Sequence, residues 1–154
     1  MLDALKKLLT TSGDPPVLPE DAAREAVAAL LVSAARADGV YDPGEVAAID
    51  AVLTRHYALD PAQAETLRRA GEEAEAAATD LVRFTRAVKQ TVPHPDRVAI
   101  IEAVWEVAYA DGDRDHQESA LVRKLCGLLY VEDREAGLAR QRVQARRVVT
   151  PAPD

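Results

Sequence analysis

The sequence predicts an all-α, single-domain protein organised around a helix–loop–helix that occurs twice. Two stretches carry the duplication: Ala37-Asp38-Gly39-Val40-Tyr41-Asp42-Pro43-Gly44-Glu45 and Ala110-Asp111-Gly112-Asp113-Arg114-Asp115-His116-Gln117-Glu118. Ala, Asp, Gly, Asp and Glu coincide at one constant offset of 73 residues (38 to 111, 45 to 118). An apolar run with helical spacing precedes and follows each stretch, so each stretch is the bend between two helices. Length and composition agree: 154 residues, 48% of them hydrophobic, suffice for one domain with a sizeable core.

Residues 1–10 place Leu2, Leu5, Leu8 and Leu9 on one helical face, with Lys6 and Lys7 opposite. The segment is too short and too charged for a signal peptide or membrane span, and reads as a short helix that packs on the bundle or frays, ahead of a surface-membrane anchor. Thr11 to Pro19 holds Gly13, Pro15 and Pro16 and reads as a linker. Residues 1–19 therefore precede a helical domain over 20–147, and the proline-bearing end, 148–154, is expected to be a disordered tail. Within the domain, Val27, Leu30, Leu31 and Ala34 mark the buried stripe of a helix over about 20–37. Val46, Ile49, Val52 and Leu53 do the same over about 43–57, with His56 in the last turn, where the helix dipole favours its charged form. Asp60-Pro61 opens the next helix as cap and first residue, and Ala64, Leu67, Gly71 and Ala74 form a small-residue stripe that permits close helix approach. Thr79 and Asp80 cap a helix lined by Leu81, Phe84 and Val88, which stops before Pro93-His94-Pro95. Over about 95–110, Val98, Ile101, Val104, Trp105 and Ala108 face inward while Glu102 and Glu106 face out. Leu121, Val122, Leu125 and Leu128 line the following helix, with Cys126 a small buried hydrophobe. The last helix opens acidic near Glu132 or Asp133 and closes on Arg140, Arg142, Arg146 and Arg147, a solvated basic face matched to its dipole.

Helix capping explains much of both acidic stretches. Gly39 and Gly112 stand where a helix closes, and glycine takes the left-handed conformation without steric penalty. Asp42 with Glu45, and Asp115 with Glu118, have the spacing of a capping box. Capping leaves Asp38 and Asp111 unexplained, because an acid in a helix's last turn meets the negative end of the dipole. Each loop offers several hard oxygen ligands within eight residues, which suits a divalent cation. The candidate metal ligands are Asp38, Asp42, Glu45, Asp111, Asp113, Asp115 and Glu118, and the candidate ions are calcium, magnesium, manganese and zinc. The second loop is not an EF-hand: His116 replaces the turn glycine and Val122 stands where the bidentate Glu belongs.

The net charge of −7, from 26 acidic and 19 basic residues, argues against nucleic acid and anionic membrane as partners. A single cysteine fits a reducing compartment, and we place the protein in the cytoplasm. No G-x-S-x-G, G-x-G-x-x-G or P-loop pattern occurs, and one Cys with three distant His cannot build a closed zinc site. No catalytic constellation stands out, so a non-enzyme is expected.

The same residues resemble the TerB family of tellurite-resistance proteins and the related N-terminal domain of the DjlA co-chaperone. The shared pattern A-x-A-D-G-x-x-x-x-x-E stands at Ala35 through Glu45 and again at Ala108 through Glu118. The resemblance covers about residues 20–147. It implies a bundle of about seven helices, no established enzyme activity and a divalent-metal site at the acidic loops. These residues hold no J domain and no membrane anchor, so a complete DjlA-type co-chaperone is not expected. The first loop is poorer in carboxylates than the second, which argues against two equivalent sites. The expected function is a stress-response module that binds a divalent metal and acts through protein partners, as a monomer or weak homodimer. The alternative is a metal-independent helical scaffold with a co-chaperone-like role.

Overall fold

Seven α-helices and no strand make up the described part of the chain, a computed structural model covering residues 19–37, 39–110 and 116–149. They are α1 (Pro19–Ala35), α2 (Pro43–Tyr57), α3 (Pro61–Ala77), α4 (Val82–Thr91), α5 (His94–Ala108), α6 (His116–Leu129) and α7 (Asp133–Val149). The expected helix over 1–10 and most of the expected tail lie outside the described residues; α7 itself runs two residues past the boundary expected at 147.

Element boundaries repeat along the chain. α1 and α5 end at Ala35 and Ala108, and α2 and α6 begin at Pro43 and His116, both pairs 73 residues apart. α1 packs most extensively on α3, and α5 on α7. α4 joins the two sets, touching α1 on one side and α6 on the other.

α1 is the axis of the bundle and contacts α2, α3, α4, α5 and α6. Its sequence is apolar all round between Ala26 and Val32, and those seven consecutive residues are all buried. The stripe expected at Val27, Leu30, Leu31 and Ala34 was thus too narrow, because the intervening alanines are core residues too. Small side chains let neighbours come close: Gly71 of α3 lies directly on the backbone of Ala28 and Ala29. α5 supplies the second apolar layer, with Ile100, Ile101, Val104, Trp105 and Ala108 buried and Val98 half-buried.

Helix ends follow local chemistry. Asp42 and Asp60 each accept the backbone N–H three residues on, and Glu45 and Gln63 reach back to the cap N–H. Two helices end without glycine: Ala58 (φ 52°) after α2 and Tyr130 (φ 57°) after α6 take the left-handed conformation. The next amides, Leu59 and Val131, donate back to the carbonyls of Thr54 and Cys126 at 3.1 and 2.9 Å, which closes both ends. α4 differs from expectation: Asp80 accepts the Val82 N–H at 2.9 Å, but Thr79 and Asp80 stand ahead of the actual cap residue, Leu81.

Glu102 and Glu106 do not face open solvent as expected. Arg142 and Arg146 of α7 bind Glu102 at 3.1 and 2.5 Å, and Arg55 of α2 binds Glu106 at 2.7 Å. Part of the basic face of α7 is therefore used within the chain. His94 is the first residue of α5 rather than a turn residue, and its Nε2 meets Glu135 of α7 at 2.8 Å. Arg97 donates to the carbonyl oxygens of Val92 and Leu129 at 3.1 and 3.0 Å, which ties the ends of α4 and α6 to α5.

Candidate functional site

The first acidic loop leaves α1 through a tightening turn. Arg36 donates to the Val32 carbonyl at 2.9 Å and Gly39 to the Arg36 carbonyl at 3.0 Å. Gly39 has φ +85°, a conformation that strains any residue with a Cβ, so the glycine is required by the turn itself. The loop then enters α2 through the Asp42 cap. Asp42 Oδ1 accepts the Glu45 N–H at 2.9 Å and Glu45 Oε1 accepts the Asp42 N–H at 3.3 Å. Glu45 is only 1% exposed, an unusual place for a carboxylate.

A charged network anchors the loop to α3. The Tyr41 hydroxyl donates to Glu72 Oε2 at 2.6 Å. Glu72 also accepts from Arg68 at 3.1 Å, and Arg68 Nε donates to Asp50 of α2 at 2.6 Å. Arg68 is 9% exposed; its burial acts to lower its pKa, but Asp50 and Glu72 outweigh that and the net shift is upward. Burial first, and then the Glu72 carboxylate, push the Tyr41 phenol well above its ordinary value. Arg36 completes the set, 2.5 Å from Glu75 of α3, with its guanidinium 4.9 Å from the centre of the Tyr41 ring. Sequence reasoning missed these residues. Their signals were the i,i+4 pair Arg68 and Glu72 and the aromatic next to the Asp42 cap.

The second loop leaves α5 beyond Tyr109 and Ala110. The Tyr109 ring stacks on Trp105 with 5.8 Å between centroids, and its hydroxyl accepts from Arg140 and Gln144 of α7, both at 3.0 Å. Ala110, the residue before Asp111, lines a cavity of about 480 Å³ together with Ala48 of α2. Ala48 is one turn beyond Glu45, so the start of the second loop borders the helix that the first loop opens.

Asp42 and Glu45 are brought together by the structure, on one helix start. Asp38, Asp111, Asp113 and Asp115 lie outside the described residues, as does the side chain of Glu118, whose position falls in the first turn of α6. Among the described residues no group of three or more His, Cys, Asp or Glu is placed to hold a metal. The two described carboxylates have the hard-oxygen chemistry a divalent cation takes, with one oxygen of each engaged in the cap.

Other titratable groups stand apart from the loops. Cys126 is buried as expected, and burial, helped by Asp133, pushes its thiol up to about 11. His56 meets Tyr57 edge to face at 4.7 Å. Local burial lowers its pKa, so the dipole effect expected for a histidine in the last turn does not win.

A family model described as tellurite resistance protein TerB matches residues 24–141. No curated protein and no solved structure matches the chain significantly. The matched span runs from α1 into α7 and includes both acidic loops. No helix among the described residues is long and apolar enough to cross a membrane.

Proposed function

Since the chain belongs to the tellurite resistance protein TerB family, we propose that it is a non-enzymatic, tellurite-resistance-type module whose two acidic loops together hold a divalent cation. The bound state would act through protein contacts. One observation carries this reading: Ala110 shares a cavity with Ala48, so the second loop begins beside the helix that Asp42 and Glu45 open. Seven carboxylates fall in the two loop sequences, and a hard cation would offset the repulsion among them. The first loop is also held in advance of any ligand, through Tyr41 and Arg36 on α3. Preorganisation of this kind reduces the ordering that binding must otherwise bring about. Carboxylates of the two loops would supply the oxygens that hold the ion, and the ion would supply the positive charge shared between them.

Titration with calcium, magnesium, manganese and zinc, followed by calorimetry and thermal melting, tests the proposal. Heat of binding and a raised Tm are expected for at least one ion, both lost in the Asp38→Asn, Asp111→Asn double variant. No heat and no change in Tm for all four ions would refute it. The complete capping box at Asp42 and Glu45 favours the second reading, in which the loops only start helices and the bundle is a metal-independent interaction scaffold. In that case the double variant leaves stability and partner capture unchanged in both metal-free and metal-containing buffer.

A further inference from the structure

A groove at the start of α1 is open to an occupant. It lies between the first turns of α1 and the first turns of α3 and has a volume of about 490 Å³. Leu59, Ala62, Leu67 and Ala70 give it an apolar floor. Leu59 and Leu67 pack against the core from one side only and remain half-exposed. The rim is acidic, with Asp21 and Glu25 on α1 and Asp60 at the cap of α3. Arg24, the one cation among the described lining residues, is directed to the Tyr57 ring, 4.8 Å from its centre. Asp21 and Glu25 have no ion pair with any described residue.

The described chain begins at Pro19, two residues before the rim residue Asp21. Eighteen residues precede it, and they open with the leucine face of Leu2, Leu5, Leu8 and Leu9. At about 100° per residue only Lys7 lies opposite that face; Lys6, grouped with it above, falls at the edge of the face beside Leu2. Residues 10–18 span up to about 30 Å when extended, more than enough to turn back over two helix turns. A leucine face bordered by a lysine matches an apolar floor bordered by acids. We propose that residues 1–10 fold back as an amphipathic helix into the groove between α1 and α3, with Lys6 meeting its acidic rim.

The occupant is tested in the full chain. A nitroxide is attached to Lys7→Cys, on the side of the helix away from the leucines; the buried Cys126 is expected to react more slowly. Amide signals of residues 59–70 and 21–25 are expected to lose intensity within the same molecule. Adding Leu5→Glu and Leu8→Glu should restore them, and so should Ala62→Lys on the groove side with the leucines intact. The spectrum of α5 to α7 reports that each variant stays folded. Intact signals at the groove in the labelled parent overturn the proposal. Intensity lost only when spin-labelled and isotope-labelled chains are mixed also overturns it, and assigns the groove to a second copy.

Discussion

Gly71→Ala isolates how closely α1 and α3 approach. A Cβ built at Gly71 falls 2.6 Å from Ala28 Cβ, 2.7 Å from the Ala28 carbonyl carbon and 2.9 Å from the Ala29 nitrogen. Favourable carbon–carbon contact lies at about 3.5–4.0 Å, so the first contact is short by about 1 Å. Two of the three atoms are backbone of the buried Ala26–Val32 stretch and the third is an alanine Cβ, so no side chain can swing aside. The helices must separate, and overpacking of this kind costs about 1–3 kcal/mol. Helix propensity opposes the loss by about 1 kcal/mol, because alanine is the better helix former. Two other helical glycines, Gly127 and Gly137, have nothing within 4 Å of a built Cβ. There alanine should stabilise by about 0.5–1 kcal/mol. The same substitution at three sites therefore changes sign with packing alone. Urea unfolding followed by circular dichroism measures it, and the net loss at 71, up to about 2 kcal/mol, corresponds to up to about 8 °C in Tm. If Gly71→Ala matches or exceeds the stability of Gly127→Ala, the close approach of α1 and α3 is wrong.

Three further perturbations follow from the same geometry. Arg68→Ala should cost about 1.5–3 kcal/mol, since it leaves Asp50, Glu72 and Tyr41 facing one another without their shared cation; Arg68→Lys should recover only part, because an ammonium cannot reproduce the planar fork that spans two carboxylates. Equal stability of both variants and the parent in urea would contradict this. Ala58→Gly should raise Tm, because it removes the strain of a Cβ at φ 52°, a cost of about 1 kcal/mol; a fall in Tm would refute the strain. Cys126 should resist thiol reagents at pH 8 in the folded protein and react promptly in urea. The fold favours the neutral thiol, raising its pKa from 9.0 to about 11, so the stability it contributes at neutral pH is lost as pH rises above 9. Cys126→Ala should lack that component of the alkaline decline, and native reaction at the unfolded rate would contradict the burial.

The parts of the molecule that were legible in advance are those decided by neighbouring residues. Asp42-Pro43 with Glu45, and Asp60-Pro61 with Gln63, announced helix starts because a cap is closed within four residues. The small stripe around Gly71 foretold a close approach, and α3 indeed sets it against Ala28. What escaped was decided by distant partners. Alanines of α1 looked neutral until other helices covered every side of them. Glu102 and Glu106 looked solvent-facing because their arginines come from α2 and α7. Nothing near Arg68 in the sequence points to Asp50, its partner on α2. Ala58 and Tyr130 end helices without glycine, and no local signal marks such a stop. Of the candidate ligands, Asp42 and Glu45 take the capping roles that their spacing announced.

The enclosure of α1 has a consequence for recognition. Between Ala26 and Val32 the rod is wrapped on every side, so it works as a mandrel on which the outer helices are wound. Any surface that a binding partner reads must belong to that outer winding or to the exposed first turns of the rod, which leaves the wrapped stretch answerable to packing alone. Its amide protons should be the last in the molecule to exchange with water.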